Sequence, residues 1–309
     1  MMSLPLKPPI APQLARSRTS LPDNDSGSWA YEPKWDGFRA IVFVDGDEAY
    51  IQSRGGKDLT RYFPEVTFPA GRYVVDGELI AATFGTLGNR IHPAETRIKR
   101  LAEETPARFV AFDLLADGDD VLMDEPYDTR RARLEKLEDI ELTPVVHSPE
   151  AAEQWLHDEE GVVAKDRTAP YRPGDRKNMA KIKRIRTADA VLVGWRHGKE
   201  HGTVGALILG MYEPDGNLRV VGHSSGLKAK EKRELPAMLA PLETGDQGAG
   251  ELSRWTGDKD LSWVALRPEL VVEITYDQVS DGRIRHGTKI VRWRSDKDPR
   301  ECTIDQLDA

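Results

Sequence analysis

Residues Glu32–Arg39 read EPKWDGFR. A lysine followed two residues later by Asp36-Gly37 and five later by Arg39 admits a plain reading as a surface turn, because Asp-Gly favours turns and Lys and Arg are at home in water. Lys-x-Asp-Gly-x-Arg has four fixed positions, however, and average residue usage makes a chance match in a chain this long rarer than about 1%. Whether Lys34 belongs to a turn or a site depends on the partners that follow it.

Those partners come in order. Ser53-Arg54-Gly55-Gly56-Lys57 lies just past a hairpin and offers an arginine and backbone N–H groups near a glycine turn, a composition suited to phosphate or sugar. Asp76-Gly77-Glu78 sits inside VVDGELI, where strand alternation puts both carboxylates on one face. Phe112-Asp113-Leu114-Leu115 reads as a buried strand. Glu160-Gly-Val-Val-Ala-Lys165 sets an acid and a base at the ends of a short apolar strand, a costly pattern for a core. Lys181-Ile182-Lys183 projects two ammonium groups from one strand face, and they repel unless an anion sits between them; a polyphosphate is the obvious candidate. Arg292-Trp-Arg294-Ser-Asp296-Lys297 closes the series as a charged strand.

Composition sets the frame. The chain has 309 residues, 39% hydrophobic and 31% charged, enough for two folded domains. Its longest apolar runs, such as Ala190–Val193 and Ala206–Leu209, are strand-sized, so no segment is expected to span a bilayer. The N-terminal MMSLPLKPPIAPQLARS lacks a continuous apolar core and reads as an extended arm. A single cysteine, Cys302, excludes an internal disulfide and a cysteine zinc site, and points to a reducing cytoplasm. The net charge of −8 disfavours a nucleic-acid partner on average, but residues 177–186 carry five cations in ten positions.

Short alternating runs dominate the first half: Ala40–Val44, Tyr73–Ile80 and Phe109–Leu115. A helix capped by Asp128 is expected to carry Leu134, Leu137 and Ile140 on one face, and another to run through Glu150–Glu159. After Thr187 the pattern becomes three strand-like runs, a helix with Leu235, Met238, Leu239 and Leu242 on one face, and two more strands, LVVEITYD and KIVRWR. Five strands with a helix between the third and fourth fit an OB-type barrel. Residues 243–253 read as a flexible loop.

KWDGFR, SRGGK, VDGE, FDLL, EGVVAK and KIK, in this order, resemble the motif series of the covalent nucleotidyltransferases, the superfamily of ATP-dependent DNA ligases, RNA ligases and RNA capping enzymes. The resemblance runs from about Tyr31 to Pro299. LPLKPPIAPQLA, TRYFPEV, RIHPAETR, RPELVVEITYDQ and RHGTKIVRWRSDKDP look like the stand-alone two-domain, C-type ATP-dependent DNA ligases of bacteria and the ligase module of bacterial end-joining proteins. The resemblance implies an α+β fold: a nucleotidyltransferase (adenylation) domain of antiparallel sheets over residues 1–187, then an OB-fold β-barrel over 188–309. It implies that Lys34 attacks the α-phosphorus of ATP to form a lysyl-AMP. Glu32 would read the adenine edge, Phe112 would stack on the base, and Arg39, Arg54 and Glu78 would hold ribose and phosphate. Glu160, with Glu78, would bind Mg2+ or Mn2+, and Lys181 and Lys183 would hold the α-phosphate. Arg294 and Lys297 would serve the departing pyrophosphate, with the second domain swinging about residues 186–189.

The implied substrate is nicked double-stranded DNA, with DNA repair or end-joining proteins as candidate partners, no membrane, and a cytoplasmic monomer. An RNA ligase or capping nucleotidyltransferase, or a non-catalytic DNA-end-binding protein, are the alternatives that the same motifs leave open.

Overall fold

A computed structural model describes residues 2–23, 26–183, 186–248, 261–277, 279–280, 282–284 and 288–307. The chain divides into two compact units, Met1–Arg184 and Ile185–Ala309.

In the first unit the strands are β1 (Arg16–Arg18), β2 (Trp29–Pro33), β3 (Phe38–Gly46), β4 (Glu48–Ser53), β5 (Gly71–Ile80), β6 (Arg108–Asp117), β7 (Asp120–Val121), β8 (Val162–Asp166) and β9 (Met179–Ile182). One sheet runs β4-β3-β5-β6-β7 and is antiparallel throughout; the other runs β1-β9-β8-β2, parallel only at β1–β9. Period-two alternation buries both faces of the first sheet. Ala40, Val42 and Val44 pack with Val75 and Leu79, whereas Ile41 and Phe43 pack with Val74 and Leu115, where Leu4 of the N-terminal arm also lies.

The second sheet is built the same way. Helix α4 covers one of its faces, and to name it the helices are α1 (Phe84–Arg90), α2 (Glu95–Glu104), α3 (Tyr127–Leu134) and α4 (Pro149–Asp158). The Ser148 hydroxyl caps α4 by accepting from the Ala151 N–H, and Ala152 and Trp155 then bury Tyr31, Val162, Ala164, Ala180 and Ile182. Their strand neighbours Glu32, Val163, Lys165, Met179 and Lys181 therefore point the other way, into a cavity that Arg39, Glu78 and Phe112 of the first sheet share.

Several helices depart from the sequence expectations. Helix α3 is entered from Pro126 with no side-chain cap; Asp128 lies in its first turn, where a carboxylate is favoured by the helix dipole, and pairs with Arg167. The helix ends at Leu134, so Leu137 and Ile140 lie beyond it and reach the core from the following loop. Helices α1 and α2 occupy a stretch without a distinct sequence signal. They are held by Arg90, wholly buried, whose Nη2 donates to both Glu65 carboxylate oxygens at 2.6 Å and whose Nη1 donates to the Leu101 carbonyl at 3.1 Å. Arg130 on α3 likewise forks the buried Asp113 at 2.7 and 2.9 Å and donates to the carbonyls of Glu125 and Ala169. Removing one partner of such a buried pair costs about 3–5 kcal/mol, because the other charge is stranded.

In the second unit the strands are β10 (Arg186–His197), β11 (Val204–Tyr212), β12 (Leu218–Ser224), β13 (Glu243–Gly248), β14 (Trp263–Leu266), β15 (Val271–Tyr276), β16 (Val279–Ser280), β17 (Arg283–Ile284) and β18 (Lys289–Trp293), with α5 (Ala229–Leu239) after β12. The long β10 pairs with β11 along one edge and with β14 and β15 along the other, and β15 pairs with β18. This is the expected OB-like order, with no ladder between β12 and β18 among the described residues. Three readings change. Residues 243–248 form β13, paired with β14, rather than a loop; the rest of that expected loop lies outside the described residues. Leu235 and Leu239 are the buried face of α5, while Met238 is exposed. Residues 186–189 pair with Tyr276, Thr275, Ile274 and Glu273, so they belong to the second unit, and a pivot there would break the ladder.

Candidate active site

Lys34 directly follows β2, and its backbone N–H donates to the Gly161 carbonyl at 2.9 Å. Gly161 has a φ of 147°, and a Cβ there would lie 2.1 Å from the Ile182 oxygen, so only glycine fits. Gly37 is required for the same kind of close approach, since a Cβ would lie 2.1 Å from the Leu79 oxygen. These two contacts pin the KWDG loop between the sheets. Lys34 Nζ donates to Glu160 Oε2, and Lys183 Nζ lies 2.7 Å from Oε1. Glu160 thus bridges two lysines, from a bend ahead of β8 rather than from the strand's first position.

The electrostatics follow from this crowding. Burial first, then Lys183, lowers the Lys34 pKa to about 8; Lys181 adds to the effect, while Glu78 and Asp36 oppose it. The Glu160 contact by itself favours the ammonium, so burial and the neighbouring lysines outweigh the carboxylates. Burial pushes Glu78 up to about 7 against the pull of Arg39 and Lys34. A carboxyl in that state gains by meeting a cation, which stabilises its ionised form.

On the far side, the buried Glu32 accepts from the Tyr127 hydroxyl at 2.7 Å and from Lys165 Nζ at 2.8 Å, and Lys165 also donates to the Phe112 carbonyl at 2.9 Å. The two donors leave lone pairs on Glu32 for a ligand. Phe112 is the extra residue of a β-bulge: Asp76 pairs with Asp113 and Gly77 with Ala111, leaving Phe112 unpaired between them. A bulge re-aims its side chain, and the Phe112 ring lines the cavity with Arg39 over it at 4.3 Å and Lys165 at 4.6 Å.

Of the sequence-derived candidates, Glu32, Lys34, Arg39, Arg54, Glu78, Phe112 and Lys181 line one cavity of about 180 Å3. That is more than ten times the ~10–15 Å3 that one water needs. Glu160 and Lys183 join it through Lys34. Arg294 and Lys297 belong to the second unit, where Arg294 forks Asp189 and Asp296 and Lys297 lies 3.4 Å from Glu301. The sequence marks Lys165 as the basic end of EGVVAK without giving it a role, and it gives no sign of Tyr127. Strand alternation from Val163 could have placed Lys165.

No cluster of three side chains suited to a metal occurs among the described residues. Magnesium is commonly held by one or two carboxylates completed by substrate phosphates and water, and Glu78 and Glu160 fit that pattern. No helix among the described residues is long and apolar enough to cross a membrane.

Residues 8–183 match the ATP dependent DNA ligase domain family and residues 200–297 the ATP dependent DNA ligase C terminal region. DNA ligase C1 of Mycolicibacterium smegmatis is 44% identical, with 100% of this chain and 96% of that protein covered. DNA ligase C of Mycobacterium tuberculosis is 42% identical over 99% of this chain and 96% of its own. The solved structure of mycobacterial DNA ligase D complexed with ATP and MES is similar with a TM-score of 0.51 and 30% identity, over 95% of this chain and 98% of that one. The chain belongs to the ATP-dependent DNA ligase family.

Proposed function

We propose that this protein seals nicks in duplex DNA: Lys34 takes AMP from ATP, passes it to a 5′-phosphate at the nick, and the adjoining 3′-hydroxyl displaces it. The observation that carries this reading is a partly buried lysine, its pKa lowered to about 8 by burial and Lys183, at the wall of a cavity lined by Glu32, Glu78, Phe112 and Lys181. In the first step the neutral Lys34 amine forms the N–P bond, the bond from the α-phosphorus to pyrophosphate breaks, and the amine proton leaves to solvent. Lys181, Lys183 and Arg39 neutralise phosphate charge, and alignment rather than acid–base chemistry carries the transfer. Glu32, steered by Tyr127 and Lys165, accepts from the exocyclic amine of adenine, and Phe112 offers its ring to the base. Glu78 and Glu160 would hold the magnesium ion, which supplies charge neutralisation at the phosphates when bound. The likeness to the multifunctional non-homologous end joining protein LigD of Mycobacterium bovis, 32% identical over 94% of this chain and 39% of that protein, makes DNA repair the favoured setting.

A duplex with one nick tests the reading. With ATP and magnesium the strand should be joined; joining of single-stranded RNA in preference to the nick would favour the RNA-ligase alternative, and use of GTP the capping one.

The pH dependence is expected to follow from Glu78 and Lys34. At limiting magnesium, adduct formation, measured as kcat/KM for ATP, should rise as Glu78 ionises near 7 and Lys34 loses its proton near 8, then level off, and saturating magnesium should move the Glu78 limb to lower pH. Lys183→Ala removes a cation that depresses the Lys34 pKa, so the upper limb should move to higher pH. A profile flat from about pH 6 to about pH 9 contradicts the assignment.

Arg294 and Lys297 are proposed to serve the pyrophosphate, because charge develops on the side of the phosphorus away from Lys34 and cations must meet it there. Lys297→Ala should slow adduct formation strongly and affect much less the sealing of a nick already carrying 5′-AMP. Equal losses in the two single-turnover assays would sink the idea.

A further inference from the structure

The N-terminal arm lines the cavity with Gln13, Leu14 and Ala15, and Gln13 ties it to the residues around it. Gln13 is 2% exposed; its side-chain amide donates to the Lys177 carbonyl at 2.9 Å, and its side-chain oxygen accepts from the Arg172 N–H at 2.9 Å. Its backbone N–H donates to the Tyr171 hydroxyl oxygen at 2.9 Å, and that hydroxyl donates to Asp76 Oδ2 at 2.6 Å. Asp76 in turn accepts from Arg39 Nε at 2.6 Å and Nη2 at 2.7 Å. The chain closes on itself, because the second Nη2 proton of Arg39 reaches the Gln13 carbonyl at 3.3 Å.

A guanidinium has five N–H donors in a fixed plane. Asp76 and Gln13 occupy the three on the Nε and Nη2 edge, which leaves the Nη1 pair for a ligand in the cavity that Gln13 and Arg39 both line. We propose that Tyr171 and Gln13 are positioning residues for Arg39: the Tyr171 hydroxyl orients Asp76 and, with the Gln13 backbone, fixes the guanidinium so that Nη1 faces a nucleotide phosphate. The arm is therefore part of the adenylation site and more than a strap over the sheet. Preorganisation of this kind matters because phosphoryl transfer depends on alignment, and a loosened clamp loses rate without losing the fold.

This inference rests on the adenylation reading above, and a double-mutant cycle separates the two. Single-turnover Lys34–AMP formation would be followed in the full chain carrying Tyr171→Phe, Arg39→Ala, and both. Tyr171→Phe should lower kcat/KM for ATP about tenfold on its own, the scale of a lost hydrogen bond to a charged group. In the Arg39→Ala background its effect should shrink below about twofold. Gln13→Ala, which frees the arm without touching Asp76, should show the same dependence on Arg39 with a smaller loss. Equal factors in both backgrounds, or no loss from either variant, would overturn the proposal as a merely structural contact. A wild-type chain that forms no AMP adduct fails the adenylation reading itself and takes this inference with it.

Discussion

Replacing Lys34 by alanine should reduce ATP-dependent nick sealing by more than about 10⁴-fold, the scale seen when a covalent nucleophile is lost. The neighbouring lysines are held differently. Lys181 and Lys183 lie on the second sheet and just past its end, and Lys183 is held by Glu160; Lys165 is bound to Glu32. The fold should survive, because the KWDG loop is pinned by backbone contacts at Gly37 and Gly161 rather than by the lysine side chain. Glu160 also keeps one cation partner in Lys183. A nick already carrying 5′-AMP should still be joined by the variant at a measurable rate, since no new lysyl adduct is required. Unchanged sealing from ATP would refute the nucleophile assignment.

The second large effect is expected at Glu160, whose side chain is 7% exposed and touches both Lys34 and Lys183. Glu160→Ala removes the anchor of the nucleophile and leaves two lysines facing each other without a counter-charge. Adduct formation and sealing should each fall by at least about 100-fold. Glu160→Gln keeps the shape and one acceptor but loses the charge, so it separates orientation of Lys34 from electrostatics. If charge dominates, Gln should be nearly as damaging as Ala; if orientation dominates, Gln should recover much of the rate. Wild-type rates for Glu160→Ala at limiting magnesium would remove Glu160 from the site.

Strands β3, β5, β6, β10–β12, β15 and β18 were legible from their apolar runs, and the motif series named Glu32, Lys34, Arg39, Arg54, Glu78, Phe112 and Lys181 of the residues lining the pocket. Alternation also explains why Glu78 and Lys181 could be read on a polar strand face, whereas Glu32 came only from the family resemblance. What escaped depends on contacts distant in sequence. Phe112 reads locally as a core residue, and only the family resemblance sets it against the base, because a bulge is invisible without the partner strand. Tyr127 reaches Glu32 across 95 residues and Tyr171 reaches Asp76 across the same separation, so neither has a local signature. The N-terminal arm read correctly as extended, yet its place in the pocket is set by Gln13 meeting residues near 171–177. The pivot expected at 186–189 falls on residues that carry no turn chemistry and lie within β10, paired with β15.

The most direct test of the whole account is peptide-mapping mass spectrometry of the intact chain after incubation with magnesium and either ATP or GTP. The expected result is one AMP moiety, formed from ATP and not from GTP, on the peptide containing Lys34. AMP on any other residue, a GMP adduct, or no adduct from a folded chain would contradict it.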